Sequence, residues 1–551
     1  MGVDLVDWGT DSERHERARN ILTIVAASRV PLNMRVIADD LSLPSTTAHQ
    51  LLTWLVSLGL LNFDPERSVY SAGAHFHEAA QTIDDDLGFL HQVLADMGSL
   101  NEATGETVIL ARLAGDEVVY VGEVEGRGHF SDHRMGQRVS LWRSAIGRAL
   151  AANLDADKRD LLLRQVSSAE LANIGFNSGQ ALVAHLNLIR ARGYATELNE
   201  RGLELSAVSA PIVDRRGRAI AALGIEGPSS RLPRDQIHAL APALIEATRK
   251  SSAFVGGALR PTSSTPRPAA PLSPSLRRLT DTHNLIGECP LFDTRNDRLF
   301  WVDMYDPEIF RFDRKSGELA SFVQDEMVMA LAHAADGILV IAASGIWLAD
   351  PETLGRRRFL GHPEAEIPFN RFNDAKCDSK NRLWVNTVNF DFARNAGALY
   401  RMDAEGEFRK METDLTVPNG MGWSPDNRTM YLVDSADRLI YAYDFCEESG
   451  AVSNRRVLVR TADLISGAPD GLTIDRNGNL WVAVFDGWRI CQFSAGGALI
   501  SELAMPVPRP TSCAIGGMSG DILFVTSARI RLSAATLDVA PHSGAVFEIS
   551  L

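Results

Sequence analysis

The chain has 551 residues, 45% of them hydrophobic, and a formal net charge of -15. That length is enough for several hydrophobic cores, and so acidic a balance excludes a general attraction to nucleic acid, leaving any DNA contact to a local surface. No run of about eighteen apolar residues occurs, and the polar start Met1–Thr10 lacks the basic and apolar stretches of a signal peptide, which predicts a cytoplasmic protein without a membrane span.

From the N-terminus, Glu13 to Ser28 is predicted helical, with Ala18, Ile21, Leu22 and Val25 at helical spacing. Asn33 to Leu41 reads as a short second helix. A third starts after Pro44, with Ser45 or Thr46 as N-cap. Its apolar face is Ala48, Leu51, Leu52, Leu55 and Leu58, and Gly59 ends it. The run LLNFDPERSVYSAG follows as a two-stranded wing that turns at Asp64-Pro65. Between Glu106 and Gly227, strands such as ETVILARLAGDEVVYVGEVEG surround helices near Ser144–Ala152 and Gly179–Arg192, the pattern of an α+β domain. Gly256 to Pro274, dense in Pro, Ser, Thr, Ala and Gly, has no hydrophobic period and reads as a linker. All five cysteines lie beyond it without a CxxC pair, and are expected to be small buried hydrophobes.

Beyond the linker the sequence repeats. Units such as LFDTRNDRLFWVDM, DAKCDSKNRLWVNT, GMGWSPDNRTMYLVDS and GLTIDRNGNLWVAV each combine a short strand, a turn rich in Asp, Asn or Gly, and a second strand. Six units with a period of roughly 40–50 residues predict a six-bladed β-propeller. LRRLTDTHN, before the first unit, can supply the outer strand that closes the ring. In such a fold the positions just before the innermost strands converge on one axis. Here they are Glu288 in GECP, Asn373 in RFND, Asn419 in VPNG and Asp470 in PDG. Two carboxylates and two amides make an oxygen-rich site suited to a hard divalent cation. Taken singly, Asn-Gly and Asp-Gly are ordinary turn formers. Recurrence in register across four units favours a site.

These motifs, with RFNDAKCDSKNRLWV, GALYRMD and TSCAIGG, resemble the gluconolactonase, senescence-marker-protein (regucalcin) and luciferin-regenerating-enzyme family. The resemblance implies one divalent metal ion (Ca, Zn, Mn or Mg) held by Glu288, Asn419 and Asp470, with Arg371 and Asn373 on the substrate, a sugar lactone. Asp470 is then both ligand and catalytic base, and Arg371 steadies the oxyanion or product carboxylate. Asn389 or Asp391 is expected at a substrate-touching place that varies among relatives.

The segments RARNILTIVAAS, LPSTTAHQLLTWLVSLGLLNFDPERSVYSAG and RGYATELNERGLELSAVSAPIVDRRGRAIAALGIEGPSSRL resemble IclR-type transcription regulators. That implies a homodimer or homotetramer, a small-molecule effector, and a third helix reading a DNA operator through Ser45, Thr46, Thr47, His49 and Gln50. The physics is less favourable to DNA. Residues 1–80 hold six basic against ten acidic side chains, and Ser45 to Ser57 has neither Lys nor Arg, with Gln50 where relatives usually have arginine. Glu226 either faces the effector pocket, disfavouring a carboxylate ligand, or points to solvent.

The expected architecture is therefore multidomain: a winged helix-turn-helix over 12–75, an effector-binding α+β domain over 76–252, a linker over 253–277 and an all-β six-bladed propeller over 278–551. Three functions fit. One is a regulator fused to a metal-dependent lactonase that makes an aldonic acid. The second is a regulator whose propeller senses metal and sugar without turnover. The third is a lactonase whose first half only oligomerises.

Overall fold

In the computed structural model the described residues are 17–25 apart from 19 and 23, then 28, 30–73, 92–127, 136–199, 204–256 and 275–551 apart from 368, 404 and 405. The linker expected over Gly256 to Pro274 lies outside them beyond Gly256, as do Met1–Thr10. The chain divides into two units, Met1–Asp96 and Met97–Leu551. Among the described residues no helix is long and apolar enough to cross a membrane.

In the first unit, helices Met34–Asp40 and Ser45–Ser57 precede strands Leu61–Asp64 and Val69–Ala72, and a short strand Leu32–Asn33 extends the wing on the Val69–Ala72 edge. The apolar spacing explains the packing: Ile21, Val25, Ile37, Leu51, Leu52 and Leu55 meet Leu61 and Tyr70 in one core. Asn33 caps the first of these helices by accepting from the Val36 amide. The second helix departs from the sequence reading in two ways. Pro44 holds the N-cap position and no side chain caps it, because Ser45 is already helical. Leu58 is exposed, since the chain leaves the helix there before Gly59 turns it at φ +68°. The wing turn is as expected, with Asp64 Oδ1 accepting from the Glu66 and Arg67 amides.

The second unit begins with the α+β domain. Its six-stranded antiparallel sheet runs in the order Arg138–Ser140, Glu117–Val124, Thr107–Ala114, Ala219–Pro228, Leu205–Val213, Ala195–Leu198. Helices Ala145–Ala151 and Gly179–Arg192 bury Ile146, Leu150, Leu182 and Leu186 in the core that they share with this sheet. Gly179–Arg192 has both terminal signals: Ser178 accepts from the Ala181 amide, and Gly193 adopts φ +90° beyond the last turn.

From Leu276 onward the chain folds into six four-stranded antiparallel sheets. Their first strands are Gly287–Asp293, Val328–Ala334, Asn370–Cys377, Pro418–Trp423, Ala468–Ile474 and Pro510–Gly516. Each packs against the next, and the sixth packs back against the first, so the sheets form a closed ring. The sixth sheet draws on both ends of this half: Leu276–Arg278 pairs with Phe547–Ser550, as the closing-strand expectation required. The repeated turns work as read, with Asn427 at φ +52° and Gly478 at φ +82°. Two repeats also tie turn to strand in the same way: Trp384 donates to Asp378 at 3.0 Å and Trp481 to Asp475 at 3.1 Å. The cysteines are free thiols. Cys289, Cys491 and Cys513 are buried, Cys377 is half-buried, and Cys446 is exposed at a strand end, against expectation.

The α+β domain docks on the ring. Arg234 pairs with Asp306, which also meets His238 Nε2 at 3.2 Å, and His238 Nδ1 lies 2.8 Å from the Tyr194 hydroxyl. Arg190 pairs with Asp391 at 3.2 Å, Arg531 donates to the Arg190 carbonyl, and Arg159 lies over the Phe369 ring. The ring partners share one location. Asp306, Asp391 and Arg531 follow the second strand of their sheets, and Phe369 precedes the first strand of its own. In an antiparallel sheet the start of strand one and the end of strand two lie at the same end. The domain therefore covers the end of the ring where the innermost strands begin.

Candidate active site

Every innermost strand breaks register at the same place. In the third to sixth sheets two residues oppose one on the second strand: Asn373-Asp374, Asn419-Gly420, Asp470-Gly471 and Thr511-Ser512. In the first sheet the break follows Glu288, with Cys289 at φ +48°, and in the second it falls at Met329. Such bulges re-aim a side chain out of the ladder. The predicted positions thus lie within the first turns of the strands rather than before them. The glycines that follow Asn419 and Asp470 are not turn glycines, for neither has positive φ. A Cβ on Gly420 would run into the Leu472 amide and the Gly471 backbone, and one on Gly471 into Ser512. Glycine is required because neighbouring inner strands approach too closely for any side chain.

The structure brings the predicted side chains together. Asn419 Nδ2 donates to Asp470 Oδ1 and, at 3.2 Å, to Ser435. Asn373 Nδ2 donates to the Pro418 carbonyl at 2.9 Å, and Arg371 Nη1 donates to Asn373 Oδ1 at 2.7 Å. Burial, then Asp470 and Asp374, push the Glu288 carboxyl well above the usual carboxylate range. Burial and Asp374 do the same to Asp470, with the Asn419 hydrogen bond and Arg371 opposing. Asp374, which the sequence reading passed over, is raised by burial against the pull of Lys376. No sequence signal marks it, because a register break that places Asn373 and Asp374 opposite one residue sets the side it faces.

Three acids that interact at this depth, with Arg371 and Lys376 as the nearby cations, form a charge-deficient centre. A divalent cation would relieve the repulsion, so the residues fit such an ion. Glu288, Asp470 and, after a half-turn of its amide, Asn419 would hold it through oxygen. Among the described residues no group of three or more His, Cys, Asp or Glu is gathered in metal-binding geometry, so a cation here would depend on amide oxygen as well as the carboxylates.

Next to the centre, and joined to it through Arg371, lies a cavity of 510 Å³, within the roughly 300–1,000 Å³ usual for small-molecule sites. Arg371 lines it, buried, with its Nε lacking a protein partner. Glu364 accepts from Asn370 at 3.0 Å and from the Tyr400 hydroxyl at 2.8 Å, which fixes that wall. The two candidates for the variable substrate position are otherwise engaged: Asn389 donates to Asn370, and Asp391 pairs with Arg190. Phe390 between them reaches the cavity instead.

Residues 286–529 match the SMP-30/Gluconolactonase/LRE-like region, 85–253 the bacterial transcriptional regulator IclR C-terminal domain, and 16–65 the IclR helix-turn-helix domain. The 6-deoxy-6-sulfogluconolactonase of Pseudomonas putida is 33% identical over 278 residues, which are 50% of this chain and 94% of that protein. The chain belongs to the SMP-30/gluconolactonase/LRE-like family. Its first half is of the IclR regulator type. Another relative in this family, the pentonolactonase of Haloferax volcanii, is 31% identical over 46% of this chain and 85% of its own length. A solved calcium-binding regucalcin from Agrobacterium tumefaciens is 26% identical, spans 50% of this chain and 92% of its own, and has a TM-score of 0.48.

Within the IclR helix-turn-helix domain, Ser45, Thr46 and His49 are exposed on the second described helix, while Thr47 and Gln50 are half-buried. In the IclR C-terminal domain Glu226 is buried, not directed to solvent, on the Ala219–Pro228 strand.

Proposed function

We propose that the ring of six sheets is a six-bladed propeller that hydrolyses a sugar lactone to an aldonic acid, and that the IclR-type half ties this activity to transcription of a sugar pathway. The assigned segments are 12–75 for the winged helix-turn-helix, 76 to Phe254 for the effector-binding domain, a linker from there to the strand at Leu276, and Leu276 to Leu551 for the lactonase, which moves the expected linker bounds of 253 and 277 by two residues at each end. The observation that carries the enzyme reading is the convergence of Glu288, Asn419 and Asp470, at the register breaks of their inner strands, beside Arg371, which lines the neighbouring cavity. Lactonase relatives of the same family support the reaction class.

A divalent cation held by Glu288, Asn419 and Asp470 would polarise the lactone carbonyl and make a water easier to deprotonate. Asp470 takes the proton from that water as it adds to the carbonyl carbon. Arg371 donates to the oxygen that gains charge, and afterwards to the product carboxylate. The ring C–O bond then breaks, and its oxygen takes up a proton to give the hydroxy acid. Asn373, held by Arg371 and the Pro418 carbonyl, orients the substrate hydroxyls. The test is acid release from a panel of pentono- and hexonolactones, with the protein stripped of metal and then resupplied. Turnover restored by a divalent ion supports the reading. No turnover with any lactone and any such ion rejects it in favour of a binding module.

For the first half, the lack of Lys and Arg on Ser45 to Ser57 favours a second reading, in which this half assembles subunits rather than reading an operator. Retention of DNA fragments at low salt separates the two.

A further inference from the structure

The cavity beside Arg371 is not a property of the ring alone. One wall comes from the ring, through Asn370, Arg371 and Phe390. The other comes from the regulator half, through Arg164 and the segment Ser178 to Ala184, which opens the Gly179–Arg192 helix. The two walls are held in register by the Arg234–Asp306–His238 group and by Arg190–Asp391.

The walls carry both signs of charge, with Arg371 and Arg164 set against the carboxylates of Asp160, Glu326 and Glu364. Arg371, 7% exposed, lines the cavity, and its buried Nε has no protein partner. Across from it stand an exposed guanidinium, Arg164, and the amide end of a fourteen-residue helix, where partial positive charge favours an anion. Ser178, Gln180, Ser344 and Asn370 add hydroxyl and amide groups. A polyhydroxylated chain bearing one carboxylate suits such a lining: the guanidiniums take the carboxylate, and the wall carboxylates accept from the hydroxyls.

We propose that this cleft is one chamber for the sugar lactone and its aldonate product, built jointly by the two halves, and that its occupant is the metabolite signal the regulator half receives. This rests on the lactonase reading for the identity of the ligand. The ligand touches both halves, so its binding free energy depends on how the α+β domain sits on the ring, and by linkage its presence changes that seating.

Gly179 offers a direct test. A Cβ there meets nothing within 4 Å, so Gly179→Trp fills the cleft from the regulator side without disturbing the fold. In the full chain, the KM for the best lactone of a five- and six-carbon panel and the Kd for the corresponding aldonates by calorimetry should both rise about tenfold or more. Arg164→Ala should weaken both by a smaller factor, mostly for the aldonate. Leu161→Trp, on an exposed helical position outside the cleft, should match wild type. Melting temperatures equal to wild type exclude misfolding. If Gly179→Trp and Arg164→Ala both bind aldonates as wild type does, or if no aldonate binds wild type, the chamber is refuted. Aldonate binding that responds to Gly179→Trp in a protein with no turnover would reject the lactonase reading and keep the chamber. Turnover with unchanged KM and Kd would do the reverse.

Discussion

Two groups of buried acids lie at the same end of the ring and are balanced in opposite ways. At the docking surface, burial pushes the Asp306 carboxyl upward, but His238 and Arg234 outweigh it and hold the carboxyl well below its usual range. At the ring centre, burial and mutual repulsion push Glu288 and Asp470 well above theirs, with Arg371 opposing. In the first group Asp306 is balanced within the protein and fastens two domains, although burial and Asp306 push the neighbouring Asp303 up to about 7. The second is left short of positive charge, at a stability cost a fold would not keep without a use for it. The contrast shows how a structural ion pair can be told from a candidate site when both are buried and acidic.

The largest test of this contrast is at the centre. Asp470→Ala should lower lactone turnover by about 10³-fold or more, since proton acceptor and cation ligand are lost together, as measured by acid release. Asp470→Asn should be equally inactive, yet in chelator it should melt above wild type, because one of the repelling charges is gone. A fall in melting temperature would mean that the acids are balanced after all.

At the docking surface the sign reverses. Arg234→Ala leaves Asp306 partly buried with one cation fewer and should cost roughly 2 kcal/mol, between the values for surface and buried pairs, read from the urea midpoint of the full chain. The pH dependence follows from the depressed Asp306 carboxyl. Its stabilisation is fully present above the unfolded value near about 3.9 and is lost as pH falls through the lower folded value. The deficit of Asp306→Asn relative to wild type should therefore shrink as pH falls below about 4. The smallest effect is expected in the first half. Gln50→Arg should steepen the dependence of log DNA affinity on log salt by about 0.9, measured by fluorescence anisotropy. No change would mean that this helix does not face DNA.

Much of this was legible in the sequence because it repeats. Six similar units and polar residues at one register position are patterns that a linear reading can count, and the Gly179–Arg192 helix follows from its own period and caps. What escaped depends on contacts between distant segments. Asp374 was hidden because a register break, not an alternating strand, sets which side it faces. Gly420 and Gly471 looked like turn formers because the crowding that demands them comes from the neighbouring sheet. The docking surface had no signal, since Arg190, Arg234, Asp306 and Asp391 are isolated charges with no period linking them. The missing N-cap at Ser45 is a local failure: Pro44 already supplies the extended backbone of the cap position.

The sixth sheet also imposes an order on synthesis. Arg277 and Glu548, which join across its outer strands, are 271 positions apart. At about 5–20 residues per second the ribosome needs roughly a quarter of a minute to a minute to make the second after the first. Throughout that interval Leu276–Arg278 waits as an unpaired edge, with two arginines to discourage wrong partners. The regulator half, already made, has no finished ring to rest on until the last strand arrives.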